Sequence, residues 1–77
     1  MKITVIDGQG GSLGKALVAA IKKRFPHEEV FAIGTNALAA SAMLGSGADA
    51  AASGENPVLV ACRKSEVIIG PIGLLAA

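Results

Sequence analysis

Four glycines within seven residues, Gly8, Gly10, Gly11 and Gly14, separate two segments of different periodicity and constrain this chain more than any other feature. Ahead of them, Lys2 to Ile6 is a short β-branched apolar run, the pattern of a strand buried on both faces. Behind them, from Ser12 to Phe25, the spacing is helical. Leu17, Val18, Ile21 and Phe25 share one stripe with Gly14, and Lys15, Lys22 and Lys23 fall on the other face. Lys22, Lys23 and Arg24 complement the negative end of the helix dipole, and Pro26 stops the helix. A strand that runs through a glycine cluster directly into a helix is the opening unit of a parallel α/β fold.

The alternation continues along the chain. Val30 to Ile33 reads as a second buried strand, closed by Gly34. Asn36 suits the N-cap of a second helix through Leu44, with Gly45 or Gly47 as its stop. Ala48 to Ala52 is a third strand built of poor strand formers. Asn56-Pro57 pairs an N-cap with proline at the first helical position and predicts a helix through Lys64, although Val58-Leu59-Val60 suits a strand equally well. Val67 to Ile69 is a buried strand ended by Gly70-Pro71-Ile72-Gly73. The order β-α-β-α-(β)-α-β predicts one α/β domain over residues 1–77, a Rossmann-like three-layer α/β/α arrangement. Its sheet is parallel in order 3-2-1-4, with the first helix on the opposite face from the third.

Composition narrows the partners. Charged residues are 17% of the chain and net charge is +1, with Lys22-Lys23-Arg24 the largest basic block, so nucleic acid and membrane surfaces are not expected partners. No apolar run approaches the ~20 residues of a membrane span. Asp7 and the glycines end the first apolar run too early for a signal peptide, and the single cysteine, Cys62, forms no intrachain disulfide; a cytoplasmic location is expected. Hydrophobic residues are 52% of a small domain, and Ile72-Gly73-Leu74-Leu75-Ala76-Ala77 ends without a polar cap. Self-association through exposed apolar surface from Val67 to Ala77 is therefore expected.

The chemistry points to Gly8-Gln9-Gly10-Gly11-Ser12-Leu13-Gly14. Read as G-x-G-x-x-G the segment fails at Leu13; read as G-x-x-G-x-x-G it fits with Gly8, Gly11 and Gly14. That variant resembles the loop of extended short-chain dehydrogenases and dihydrodipicolinate reductases. On this logic Gly8 permits the turn, Gly10 or Gly11 lets backbone approach a pyrophosphate, and Gly14 lets the helix lie close to the strand. The first helical N–H groups then face the anion, and Lys15 in the first turn fits best with an anion nearby. Gly11→Val is expected to abolish ligand binding and spare the fold; Gly14→Val is expected to damage both. The plainer alternative is that the glycines serve tight packing alone.

Two departures set the segment apart from ordinary dinucleotide loops. Asp7 lies directly before it and repels a pyrophosphate unless protonated, turned away or bridged by a cation. Gly34-Thr35-Asn36 carries neither the acid expected for a ribose nor an arginine for a 2′-phosphate; Thr35 and Asn36 serve a ribose or simply cap a helix. Gly14-Lys15 resembles the end of a Walker A loop, but Ala16 follows the lysine, so an ATPase is not expected. The chain has no tyrosine, hence no Tyr-x-x-x-Lys apparatus. His27 reads as a turn residue and Cys62 as a small apolar one. Glu55, Gly70 and Pro71 are placed by the expected topology beside the glycine loop, Glu55 as a ligand group or a solvated carboxylate. No metal site is expected.

Val5-Ile6-Asp7-Gly8-Gln9-Gly10-Gly11, Gly34-Thr35-Asn36-Ala37-Leu38-Ala39, Gly54-Glu55-Asn56 and Ile68-Ile69-Gly70-Pro71-Ile72-Gly73 together resemble a family of short bacterial proteins known only as a domain of unknown function. The resemblance covers nearly the whole chain. It implies a Rossmann-like start, continuation of its members beyond the position of Ala77, and hence a partial domain here. It also implies that Asp7 and Gly34-Thr35-Asn36 belong to the family pattern. Binding of a nucleotide, NAD or NADP first, at Gly8–Gly14 is the leading expectation. A structural or regulatory homo-oligomer without cofactor and a small oxidoreductase are the alternatives.

Overall fold

The computed structural model describes residues 1–54, 67–70 and 73–76. Strand β1 (Lys2–Asp7) leads through the glycine loop into helix α1 (Ser12–Arg24); β2 (Glu29–Gly34), α2 (Ala37–Gly45) and β3 (Ala50–Ser53) follow. Strands β4 (Val67–Gly70) and β5 (Gly73–Ala76) complete one sheet of order β3-β2-β1-β4-β5. The pairs β1–β2, β1–β4 and β2–β3 are parallel, so the expected order 3-2-1-4 is present and the fold is α/β, consistent with a partial Rossmann-like arrangement. The expected third helix, with Cys62, Arg63 and Lys64, lies outside the described residues.

Alternation explains why β1 and β2 sit at the centre. Ile3, Val5, Val30 and Ala32 join Val18 of α1 and Met43 of α2 in one core cluster. Thr4 and Ile33, on the opposite face of the same strands, are also fully buried, as a double-faced strand requires. Helix α2 starts where expected: the Asn36 side chain accepts a hydrogen bond from the Ala39 N–H at 2.9 Å.

Three features differ from the sequence reading. Phe25 leaves the buried stripe and is 52% exposed, because it is the C-cap of α1, with φ −130° and ψ 68°. The sequence reading ends its strands at Ile69, whereas Gly73–Ala76 forms a further strand antiparallel to β4, and β4 lies between β1 and β5 with Ile68 buried. Strand β5 pairs with β4 along one side and is the outermost strand at that edge of the sheet. Lys22, assigned to the solvent face of α1, instead reaches across the amino end of the sheet.

There it forms a clamp. Lys22 Nζ donates to the Glu28 carbonyl at 3.0 Å and pairs with Asp49 Oδ2 at 3.0 Å, and Asp49 Oδ2 also accepts from the Val30 N–H at 2.8 Å. The end of α1 and the starts of β2 and β3 are held at one point. The Val30 N–H and the Lys22 ammonium keep the Asp49 carboxyl below its ordinary value of 3.8. A lowered folded-state pKa contributes stability above the unfolded value that is lost as pH falls through the folded one. Thermal melts of the wild type should therefore lose stability below pH 3.8. Asp49→Asn should be less stable at neutral pH and flatter in acid; parallel pH profiles for the two proteins would contradict this.

Candidate functional site

The candidate site is an open-mouthed cleft of about 420 Å³ at the carboxyl end of β1, lined by residues Asp7 to Leu13. Its frame is set by Asp7, which is only 8% exposed. One carboxylate oxygen accepts from the Gly8 N–H at 2.8 Å, and the other from the Gly14 N–H at 2.6 Å. Gly14 is the third residue of α1, and the N-cap position, Gly11, has no side chain to satisfy a free helical N–H. Asp7 supplies that cap from the preceding strand and places a negative charge at the positive end of the helix dipole. The carboxylate is turned under the loop.

The loop bends through a hydrogen bond from the Gly11 N–H to the Gly8 carbonyl at 2.9 Å. The left-handed conformations are at Gln9 (φ 50°) and Gly11 (φ 74°) rather than at Gly8. Three of the four glycines answer to packing. A Cβ at Gly8 would stand 2.8 Å from Thr35 Oγ1. At Gly11 it would stand 2.8 Å from Ala39 Cα, and at Gly14 it would strike Met43 Sδ and the Asp7 side chain. Ala39 and Met43 are one turn apart on α2, so Gly11 and Gly14 form the bare surface on which that helix lies. The plainer reading of these glycines therefore accounts for most of the cluster, and Gly11 does not stand at the surface as expected. Gly10 is different: a Cβ there meets nothing within 4 Å.

The other expected site residues divide. Thr35 lies against Gly8, and its N–H donates to the Asp7 carbonyl at 2.9 Å. Asn36 commits its side-chain oxygen to capping α2. Gly70 ends β4, the neighbour of β1 in the sheet. Gln9, Gly10, Ser12 and Leu13 line the cleft, and the N–H groups of Ser12 and Leu13 find no acceptor among the described residues. Glu55 and Pro71 lie outside the described residues. The capping role of Asp7 and the seat of Met43 were not read from the sequence, although a helix opening on glycines after a strand-ending aspartate is the available signal for the first.

A mostly parallel sheet whose central strand feeds a glycine loop and a helix through a capping aspartate defines an α/β protein with a cleft at the carboxyl end of its sheet. The sequence model of the family described as "Domain of unknown function (DUF3842)" matches residues 2–77, and the chain belongs to that family. Comparison with curated proteins and with solved structures finds no match. No helix among the described residues is long and apolar enough to cross a membrane.

Two substitutions separate packing from cleft. Gly11→Val forces a Cβ into the Ala39 backbone from a left-handed conformation and should cost about 1–3 kcal/mol or more in urea denaturation. Asp7→Ala leaves the buried Gly14 N–H without its acceptor and should cost about 1–3 kcal/mol. Wild-type stability in either variant would show that these contacts do not hold the loop.

Proposed function

We propose that this chain is a nucleotide-binding module that receives a phosphate-bearing ligand in the Asp7–Leu13 cleft, with NAD and NADP the leading candidates. The observation that supports this reading most is Gly10, the loop glycine whose missing Cβ leaves cleft rather than packing space. Beside it, the N–H groups of Ser12 and Leu13 at the positive end of α1, without an acceptor among the described residues, offer donors to a phosphate. The carboxyl ends of β1 and its neighbour β4 are where open sheets of this order bind ligands. Thr35, against Gly8, stands on the side where a ribose would run. The reading covers binding; an oxidoreductase step would need catalytic groups that the described residues do not present.

Calorimetric titration of NAD, NADP, ATP and AMP tests it. Wild type should bind at least one of them, and Gly10→Val should lose that binding with an unchanged unfolding transition. Failure of all four at millimolar concentration would end the nucleotide reading.

A second reading, a structural homo-oligomer in the cytoplasm, draws on a different observation. Helix α2 carries no charged residue, yet Leu38 and Leu44 are 68% and 50% exposed. A helix apolar on all sides is normally covered on all sides. Sedimentation should then show self-association that Leu38→Lys weakens; a monodisperse monomer at high micromolar concentration would remove this reading.

A further inference from the structure

Strand β3 and helix α2 form a margin of the molecule in which neither element carries a charged residue. β3 is the outer strand at the edge opposite β5, and among the described residues it pairs on one side only, with β2. Edge strands are ordinarily protected from further pairing by lysine, proline or a bulge. Ala50-Ala51-Ala52-Ser53 has neither lysine nor proline and matches β2 residue by residue, whereas the pairing of β4 with β5 shifts between Ile68 and Ile69. The groups on the open side of β3 follow from its neighbours. The Thr35 N–H donates to the Asp7 carbonyl, on the β1 side of β2, and the Gly54 N–H donates to the Gly34 carbonyl at 3.1 Å. Alternation along both strands therefore turns the N–H and C=O groups of Ala50 and Ala52 toward β2, and those of Ala51 and Ser53 outward.

Helix α2 packs on β2 and β3 at this same margin. Ala37, Ser41 and Leu44 line an open groove of about 220 Å³ together with Ala51, Ala52 and Ser53. An unpaired strand edge calls for a strand, and the uncharged helix beside it calls for another uncharged helix. A second copy of this chain supplies both through one symmetry operation. A two-fold axis normal to the sheet at Ala52 sets the two β3 strands antiparallel, with Ala51 opposite Ser53 of the partner subunit. Each such pair exchanges both of its N–H···O bonds. The same axis leaves both α2 helices on one face of the joined sheet. Strands lie about 4.8 Å apart, so a helix seated midway over β2 and β3 is about 5 Å from the axis and about 10 Å from its mate. Packed helices lie at roughly that distance, 8–10 Å. Charge agrees with this arrangement, since it keeps the two Asp49 carboxylates about 20 Å apart, beyond the Debye length of about 8 Å.

We infer that this chain forms a two-fold dimer in which β3 pairs antiparallel with β3 and α2 packs beside α2. The inference rests on the self-association reading given above and names its surface and its partner, a second copy of the chain.

Ala51→Pro tests it, because proline there removes an outward donor and blocks the edge while sparing the bonds to β2. Sedimentation of the wild type should show a monomer–dimer equilibrium without larger species. Ala51→Pro should be monomeric at the same concentration, with an unchanged unfolding transition. In the wild type, hydrogen exchange of the Ala51 and Ser53 amides should slow as protein concentration rises, while that of Ala50 and Ala52 changes little. This second measurement decides the matter even if Ala51→Pro folds poorly. In a wild type that self-associates, a dimer that survives Ala51→Pro, concentration-independent exchange at Ala51 and Ser53, or slowing confined to Gly73–Ala76 would each overturn the inference and leave self-association standing. So would assembly beyond the dimer. A wild type that stays monomeric at high micromolar concentration would remove both.

Discussion

The two hydrogen bonds from the Gly8 and Gly14 N–H groups to the Asp7 carboxylate, at 2.8 and 2.6 Å, are the interaction on which the rest of this structure depends. They fix the end of the central strand to the first turn of α1, and the Asp7 carbonyl binds the Thr35 N–H at the end of β2. One residue thereby sets the positions of β1, α1 and β2. Helix α2 follows, because it can approach only where Gly11 and Gly14 leave room for Ala39 and Met43. The cleft is what remains on the solvent side of that clasp.

Much of this architecture is legible in the sequence, for identifiable reasons. Val5 and Ile33 belong to β-branched runs bounded by glycine, so β1 and β2 are evident, and Asn36 marks the start of α2 by capping chemistry alone. Parallel order follows from the alternation of elements. What escapes is what depends on tertiary neighbours. Phe25 fits the apolar period of α1, but the chain turns out of helical geometry at that residue. Lys22 looks solvated until Asp49, distant in sequence, is brought beside it. The apolar tail gives no sign that Gly73–Ala76 folds back on β4, since turn residues alone do not say what the chain does next.

The glycine loop carries the same lesson at the site. Its spacing suggests one shared purpose, close approach to a pyrophosphate, yet three of the glycines are required by Thr35, Ala39 and Met43 respectively. Spacing cannot separate a glycine that makes room for a helix from one that makes room for a ligand, because both are absences of a Cβ. The neighbouring atoms identify the first kind at Gly8, Gly11 and Gly14, and leave Gly10 as the loop glycine beside open space. Asp7 likewise looks like a liability beside a phosphate until its oxygens are seen on the Gly8 and Gly14 N–H groups, where the charge becomes part of the loop.

Native-state hydrogen exchange tests this clasp most directly. The first N–H groups of a helix lack intrahelical acceptors and ordinarily exchange rapidly. If the Asp7 carboxylate holds Gly14, its amide should exchange as slowly as the buried amides of Val5 and Val18, while those of Ser12 and Leu13, one and two residues earlier, exchange freely in the ligand-free protein. A Gly14 amide that exchanges as fast as its two neighbours would contradict the central role given to Asp7.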